Sequence, residues 1–120
     1  METAVQFLDD FELQIDEYNK LGTHNKIFVE RTADIGVLPA DVASSYGVSG
    51  PNLRASGVKW DLRRNAPYSI YDKFEFDVPV GDGAKGTLGD CWDRYYVRML
   101  EVKESVKILR QALAQIPKDG

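Results

Sequence analysis

The chain is 120 residues long, enough for one domain, with 43% hydrophobic residues, 28% charged residues and a formal net charge of −4. This composition excludes a disordered tail, a collagenous repeat and a disulfide-dense miniprotein. One cysteine, Cys91, and one histidine, His24, exclude an intrachain disulfide, a cysteine-built zinc or iron–sulfur site and a two-histidine metal site. A helix is predicted from Thr3 to Leu21. Thr3 and Gln6 have capping-box spacing, and Ala4, Leu8, Phe11, Ile15 and Tyr18 make an apolar stripe that Phe7 widens. Gly22 suits the position just past its end.

A short helix over Lys26–Ala33 is expected next, interrupted by Gly36. The stretch from Leu38 to Gly47, with Pro39 near its start and Gly47 after its end, reads as another, with Val42 and Tyr46 on one face. Residues 47–68 read as irregular, punctuated by Gly47, Gly50, Pro51, Gly57 and Pro67, with Leu53, Val58, Trp60 and Leu62 packed on the rest. Residues 74–78 alternate apolar and charged, the pattern of a half-buried strand, and Pro79 puts it at an edge or an end. Gly81–Gly89 reads as a flexible loop.

The last helix is expected to begin after Asp90, its cap, with Asp93 in its first turn. Trp92, Tyr95, Met99, Val102, Val106, Leu109, Leu113 and Ile116 recur at three-four spacing as a heptad-like seam, and Pro117 stops it. Glu104 with Lys107, and Arg98 with Glu101, have ion-pair spacing. The seam needs a partner, and the Thr3–Leu21 stripe is the one at hand. The first helix matches only part of it, so the remainder is expected to expose apolar surface. The fold class expected is mainly α with one short β element.

The longest uncharged apolar stretch, Ile35 to Ala40, is too short to span a bilayer. No basic and then apolar opening marks the chain for secretion, and a single unpartnered cysteine fits a reducing compartment. An acidic chain is a poor match for non-specific nucleic-acid binding. Residues 1–50 hold nine acids and three bases, and residues 51–120 hold ten acids and twelve bases.

Gly81-Asp82-Gly83-Ala84-Lys85-Gly86 matches G-x-G-x-x-G. The dinucleotide reading fails on context. The preceding strand alternates charge, the helix starts only after Gly89, and Glu101 lies inside a helix rather than at a strand end. His24 reads as a surface histidine, Cys91 as a small packed side chain, and Trp92, Tyr95 and Tyr96 as core rather than a base-stacking platform. The run from Gly50 to Arg64 sets Arg54, Asp61, Arg63 and Arg64 in an apolar loop. Guanidinium forks tie such loops to carboxylates and carbonyls, so this run is a structural clamp or a contact surface.

The same run carries a family resemblance. Gly50-Pro51-x-Leu53-Arg54-Ala55-Ser56-Gly57-Val58, Asp61-Leu62-Arg63-Arg64, Pro67-Tyr68 and Tyr71-Asp72 resemble the D subunit of the proton-pumping NADH–quinone oxidoreductase, respiratory complex I. Asn25-Lys26-Ile27, Glu30-Arg31-Thr32, Ile35-Gly36-Val37, Phe76-Asp77-Val78-Pro79-Val80-Gly81, Gly89-Asp90-Cys91, Asp93-Arg94-Tyr95 and Val97-Arg98-Met99 continue it. The longer Gly81–Gly89 loop departs from the family pattern. The resemblance implies one partial domain over 1–120, an internal segment of a helical bundle similar to the large subunit of nickel–iron hydrogenases. The His and Tyr that hold the quinone in that family lie outside the segment, as does the stretch replacing the hydrogenase metal ligands. No catalytic, quinone-binding or metal residue is therefore expected here, and Arg54, Asp61, Arg63, Arg64, Arg94 and Arg98 are the contact candidates.

The implied setting is a peripheral complex on the cytoplasmic face of the bacterial inner membrane. There NAD and quinone are used by the whole assembly, and electrons pass from NADH through iron–sulfur clusters to quinone, coupled to proton translocation. The implied partners are the other subunits, notably the iron–sulfur subunit beside the quinone, with quinone met only through the full-length protein and no nucleic acid. The segment itself is expected to be scaffold, to bind no cofactor, and to be inactive alone. The alternative is a stand-alone, non-enzymatic helical interaction module, which the neighbouring reading frame would distinguish.

Overall fold

The computed structural model describes residues 2–117, and its axis is the longest helix, α6 (Cys91–Gln115). Asp90 caps α6 by accepting the Asp93 N–H at 2.9 Å, as the sequence predicts. Before it come α1 (Glu2–Tyr18), a π turn (Asn19–Thr23), α2 (Lys26–Thr32), α3 (Ala40–Ser45), α4 (Gly50–Ala55), α5 (Leu62–Asn65) and a 3₁₀ turn (Tyr71–Lys73). The chain is helical, and no strand occurs among the described residues.

Packing on α6 is two-sided. On one side α1 contributes Leu8 and Ile15, which pack with Val106 over Phe11, Met99, Val102 and Leu113. Each such side chain, when fully buried, stabilises by about 1.5–3 kcal/mol. On the other side Phe74, Phe76 and Val78 pack against Ile108, with Tyr71 and Ala112 beside them. The predicted seam therefore accounts for only part of the burial on α6. Leu109 and Ile116 are each 49% exposed, whereas Val97 and Ile108, off the seam, are buried. Leu113, further along the seam than Leu109, still packs on the α1 cluster.

Several local expectations are corrected. Thr3 sits inside the first turn of α1, not at its cap, because the helix already includes Glu2. Gly22 does not end the helix in a left-handed angle. The chain continues through the π turn, where the Thr23 hydroxyl donates to Asn19 Oδ1 at 2.8 Å and lies 3.2 Å from the Tyr95 hydroxyl. A Cβ on Gly22 would come within 2.8 Å of the Tyr95 hydroxyl oxygen, so the glycine admits α6 rather than a turn. The irregular stretch 47–68 contains α4 and α5, started by Pro51 and by the Asp61 side chain, which accepts from Arg63 N at 2.9 Å. Its apolar residues divide: Leu53 is buried, while Trp60 and Leu62 are exposed. Val42 and Tyr46 both face outward, and Ala43 is the buried residue of α3.

Residues 74–78 have the burial of a half-buried strand without a sheet. Phe74, Phe76 and Val78 are buried, and Glu75 and Asp77 are exposed. Side chains of α6 take the place of a neighbouring strand. Gln111 Oε1 accepts the Glu75 N–H at 2.8 Å and Glu104 Oε2 accepts the Asp77 N–H at 2.8 Å. Gln111 Nε2 donates back to the Glu75 carbonyl at 2.6 Å. The backbone's need for partners is met by helix side chains, so the predicted strand forms no ladder among the described residues.

The molecule is a slab of 52 × 34 × 16 Å with a radius of gyration of 16.5 Å. A compact chain of this length has about 14 Å. Its accessible surface is 7772 Å², against about 6,500 Å² for a compact monomer of this mass.

Candidate functional site

Arg54, Asp61, Arg63 and Arg64 converge on one junction of α4, α5 and α6. Arg54 is 6% exposed and Asp61 4% exposed, so their charges must be met inside the protein. Arg54 Nε donates to Glu101 Oε1 on α6 at 2.6 Å, and its Nη1 donates to the Trp60 carbonyl at 2.9 Å. Arg54 Nη1 also lies 3.6 Å from Asp61 Oδ2. Arg63 closes a two-pronged pair on Asp61, with Nε to Oδ1 at 3.0 Å and Nη2 to Oδ2 at 2.6 Å. The Arg63 hydrogen bonds hold the Asp61 carboxyl below the usual carboxylate range, against the opposing pull of burial. Arg64 Nη2 donates to the Phe76 carbonyl at 2.6 Å. The guanidinium carbons of Arg64 and Arg63 lie 4.2 and 5.0 Å from the centroid of the Phe76 ring, so two cations share one aromatic ring.

Arg94 and Arg98 belong to a second junction. Arg94 donates to the Gly89 carbonyl at 2.6 Å, to the Gly36 carbonyl at 2.8 Å and to Cys91 Sγ at 2.9 Å. Arg98 donates to Asn52 Oδ1 at 2.9 Å and not to Glu101, which Arg54 occupies. The expected Arg98–Glu101 pair is thus replaced by a longer-range one, whereas Glu104 and Lys107 do pair, at 3.5 Å. Sequence reasoning missed Glu101 as the clamp's second carboxylate. Nothing in the spacing signals it, because 47 positions separate it from Arg54.

The Gly81–Gly89 loop is pinned rather than flexible. Asp93, fully buried, accepts the Gly89 N–H at 3.0 Å and the Gly83 N–H at 3.2 Å. Burial pushes the Asp93 carboxyl above the usual range, the Gly89 and Gly83 amides pull it back, and nearby Asp90 and Asp82 add to the rise. Asp90 Oδ2 accepts the Asp34 N–H at 2.8 Å and so joins the loop to the turn after α2. Gly81 packs on the Ala55 carbonyl, whose oxygen an added Cβ would strike. Gly86 packs on Asp90, whose Oδ2 would lie 2.5 Å from such a Cβ.

This geometry does not fit a dinucleotide. The Gly83 and Gly89 amides already donate to Asp93, and the Asp93 amide at the α6 N-terminus to Asp90, so these groups are not free for a pyrophosphate. Titration with NADH or ATP is expected to leave the Gly83 and Gly86 amide resonances unmoved; saturable shifts there would overturn this assignment. Among the described residues, no group of three or more His, Cys, Asp and Glu is placed to hold a metal ion. No described helix is long and apolar enough to cross a membrane. His24 is exposed beside a smaller cleft, with Asp16, Lys20 and Lys103.

Comparison with known proteins gives a consistent result. A family model described as the respiratory-chain NADH dehydrogenase 49 kDa subunit matches residues 1–120. The NADH-quinone oxidoreductase D subunit of Chlorobaculum tepidum is 54% identical over 116 residues, covering 97% of this chain and 29% of that protein. The D 2 subunit of Sorangium cellulosum is 56% identical over 110 residues, covering 92% of this chain and 28% of that protein. The D subunit of Bacillus mycoides is 49% identical over 120 residues, covering 100% of this chain and 31% of that protein. The chain spans less than a third of the length of these relatives.

Proposed function

Because the chain belongs to the 49 kDa subunit family of the respiratory-chain NADH dehydrogenase, we propose that it is a scaffold and subunit-contact segment of an NADH–quinone oxidoreductase. In this reading the whole assembly passes electrons from NADH through iron–sulfur clusters to quinone and couples this to proton translocation. NAD and quinone are handled elsewhere in the assembly, and the segment binds neither. It is part of a hydrogenase-like helical bundle in a peripheral arm, on the cytoplasmic face of the bacterial inner membrane. Its partners are the other subunits, in particular the iron–sulfur subunit beside the quinone.

The observation that carries this reading is the family match over every residue of the chain. The structure agrees with a holding role. The Arg54–Asp61–Arg63–Glu101 network ties three elements together, and the Asp90 and Asp93 carboxylates tie down two loops.

The decisive experiment exchanges this segment for the matching stretch of the Bacillus mycoides protein and assembles the complex. The chimera is expected to assemble and to retain NADH:quinone turnover. Failure to assemble would overturn the reading. The purified 120-residue chain is expected to show no NADH-dependent quinone reduction, and turnover by it alone would reject the scaffold role.

A further inference from the structure

Asp82-Gly83 is the only Asp–Gly pair among the described residues. At such a pair the glycine nitrogen can attack the aspartate side chain, because no Cβ shields it. Attack at Asp82 Cγ closes a five-membered succinimide ring. Closure is helped by a base for the amide proton, a donor on the carboxyl oxygen that gathers charge, and a backbone already held in place. The Gly81–Gly89 loop has all three, and each reacting atom belongs to this chain.

The base is Asp93. Its Oδ2 and Oδ1 accept the Gly83 N–H at 3.2 and 3.3 Å, so a carboxylate lies on the proton that must leave. Asp93 is fully buried and forms no salt bridge among the described residues. Burial, with Asp90 and Asp82 adding to it, raises its carboxyl above the usual range and makes it a stronger base than an exposed carboxylate. The donor is Ala84. Its N–H reaches Asp82 Oδ1 at 3.0 Å, which folds the Asp82 carboxyl back over the Gly83 peptide and polarises it. The frame is the turn itself. Gly83 has φ +69°, its carbonyl accepts the Gly86 N–H at 3.3 Å, and a Cβ there would meet Gly86 O and Leu88 N at 3.1 Å. Packing therefore keeps residue 83 a glycine, beside an exposed aspartate.

We propose that Asp82-Gly83 is a self-modification site, at which Asp93 acts as general base and Asp82 is converted to isoaspartate. The Gly83 nitrogen passes its proton to Asp93 and bonds to Asp82 Cγ. The acid form of the Asp82 carboxyl loses its hydroxyl, which takes the proton back from Asp93 and leaves as water. Water then adds to the succinimide, and one ring C–N bond breaks. Cleavage at Cγ restores aspartate. Cleavage at the main-chain carbonyl carbon leaves the chain running through the side chain, one methylene longer. That methylene lands beside one of the two amides on which Asp93 holds the loop, so the Gly83 N–H is drawn off Asp93 while Gly89 stays. The consequence is a slow loosening of the loop. The inference is independent of the subunit-contact reading.

The test follows the tryptic peptide 74–85 of the 120-residue chain, aged at mildly acidic pH either folded or in concentrated urea. Isoaspartate is counted by enzymatic carboxyl methylation, and the succinimide by loss of one water mass. The peptide keeps Asp82 apart from Asp119-Gly120, the chain's other Asp–Gly pair. The folded chain is expected to convert at Asp82 at least about tenfold faster than the unfolded chain, as general-base catalysis allows. Asp93→Asn keeps an acceptor for the Gly83 N–H but cannot take its proton, and is expected to bring the rate down to about the unfolded one. A hydrogen bond that only restrains Gly83 gives the reverse, slower conversion in the folded chain and no fall in Asp93→Asn. Either of those results overturns the inference, as does isoaspartate confined to Asp119-Gly120. The comparison of folded with unfolded chain uses the unsubstituted protein, so it decides the question even where Asp93→Asn fails to fold.

Discussion

Arg54→Ala is expected to destabilise the chain by about 3–5 kcal/mol, because it removes a buried guanidinium and leaves Glu101 without its counter-charge, while Asp61 keeps Arg63. Glu101 loses the 2.6 Å hydrogen bond from Nε, and the Trp60 carbonyl loses its donor at 2.9 Å. Small domains are stable by about 5–15 kcal/mol in total, so this single change approaches the whole. Arg54→Met combined with Glu101→Gln is expected to cost less than Arg54→Ala, since the mismatch of charge is removed along with the pair. Urea unfolding of the three proteins checks this. A loss under about 1 kcal/mol for Arg54→Ala would mean that the network behaves as an exposed ion pair.

The acid limb of stability follows from two carboxylates that oppose each other. Asp61 is held below its ordinary value of 3.8, chiefly by the Arg63 hydrogen bonds. Its contribution is complete above 3.8 and is lost as pH falls through the folded value. Asp93 is raised above 3.8 by burial, so the folded state takes up a proton first and is favoured as pH falls through that window. Asp61→Asn is therefore expected to flatten the loss at low pH, and Asp93→Asn to remove the gain. Urea unfolding repeated across the acid range reads both slopes.

Ile15→Ala is expected to cost about 2–5 kcal/mol, whereas Leu109→Ala, on the same predicted helix pairing, is expected to stay within about 0.5 kcal/mol in the monomer. Ile15 is 1% exposed between α1 and α6, and Leu109 is 49% exposed. The difference holds only while Leu109 faces water. The slab leaves Phe7, Leu13 and Leu21 exposed as well, at 60%, 69% and 72%. Apolar surface on this scale favours association. The isolated chain is expected to sediment with a concentration-dependent mass and to melt over a broad range, and Leu109→Ala is expected to shift that concentration dependence. A sharp cooperative melt of a monomer at every concentration would reject this, and would favour a stand-alone module over a bundle segment.

The helices α1, α2, α3 and α6 were legible in the sequence because their signals are local, whereas α4 and α5 lay in the stretch expected to be irregular. Asp90 caps α6 at 2.9 Å, and the Leu8–Phe11–Ile15 stripe meets α6 as its spacing requires. Such signals act within one or two turns, so a window of sequence contains both partners. The alternation at 74–78 likewise marked the buried face, Phe74, Phe76 and Val78, but not the partner that satisfies its backbone. Gln111 and Glu104 do that from a helix, and alternation carries no information about which element lies alongside.

The sequence alone determined the charges of the clamp and the family they mark, since Arg54, Asp61, Arg63 and Arg64 lie within one short run. Only the tertiary structure decided that Glu101 completes the clamp instead of pairing with Arg98, and that the Gly83 and Gly89 amides serve Asp93 rather than a phosphate. The reason is physical. A buried guanidinium takes the carboxylate that the packing of α4 on α6 brings within reach, and burial of Asp93 at a helix start claims the nearest free N–H groups. Both choices depend on which surfaces meet in space, and residue spacing along the chain does not encode that meeting.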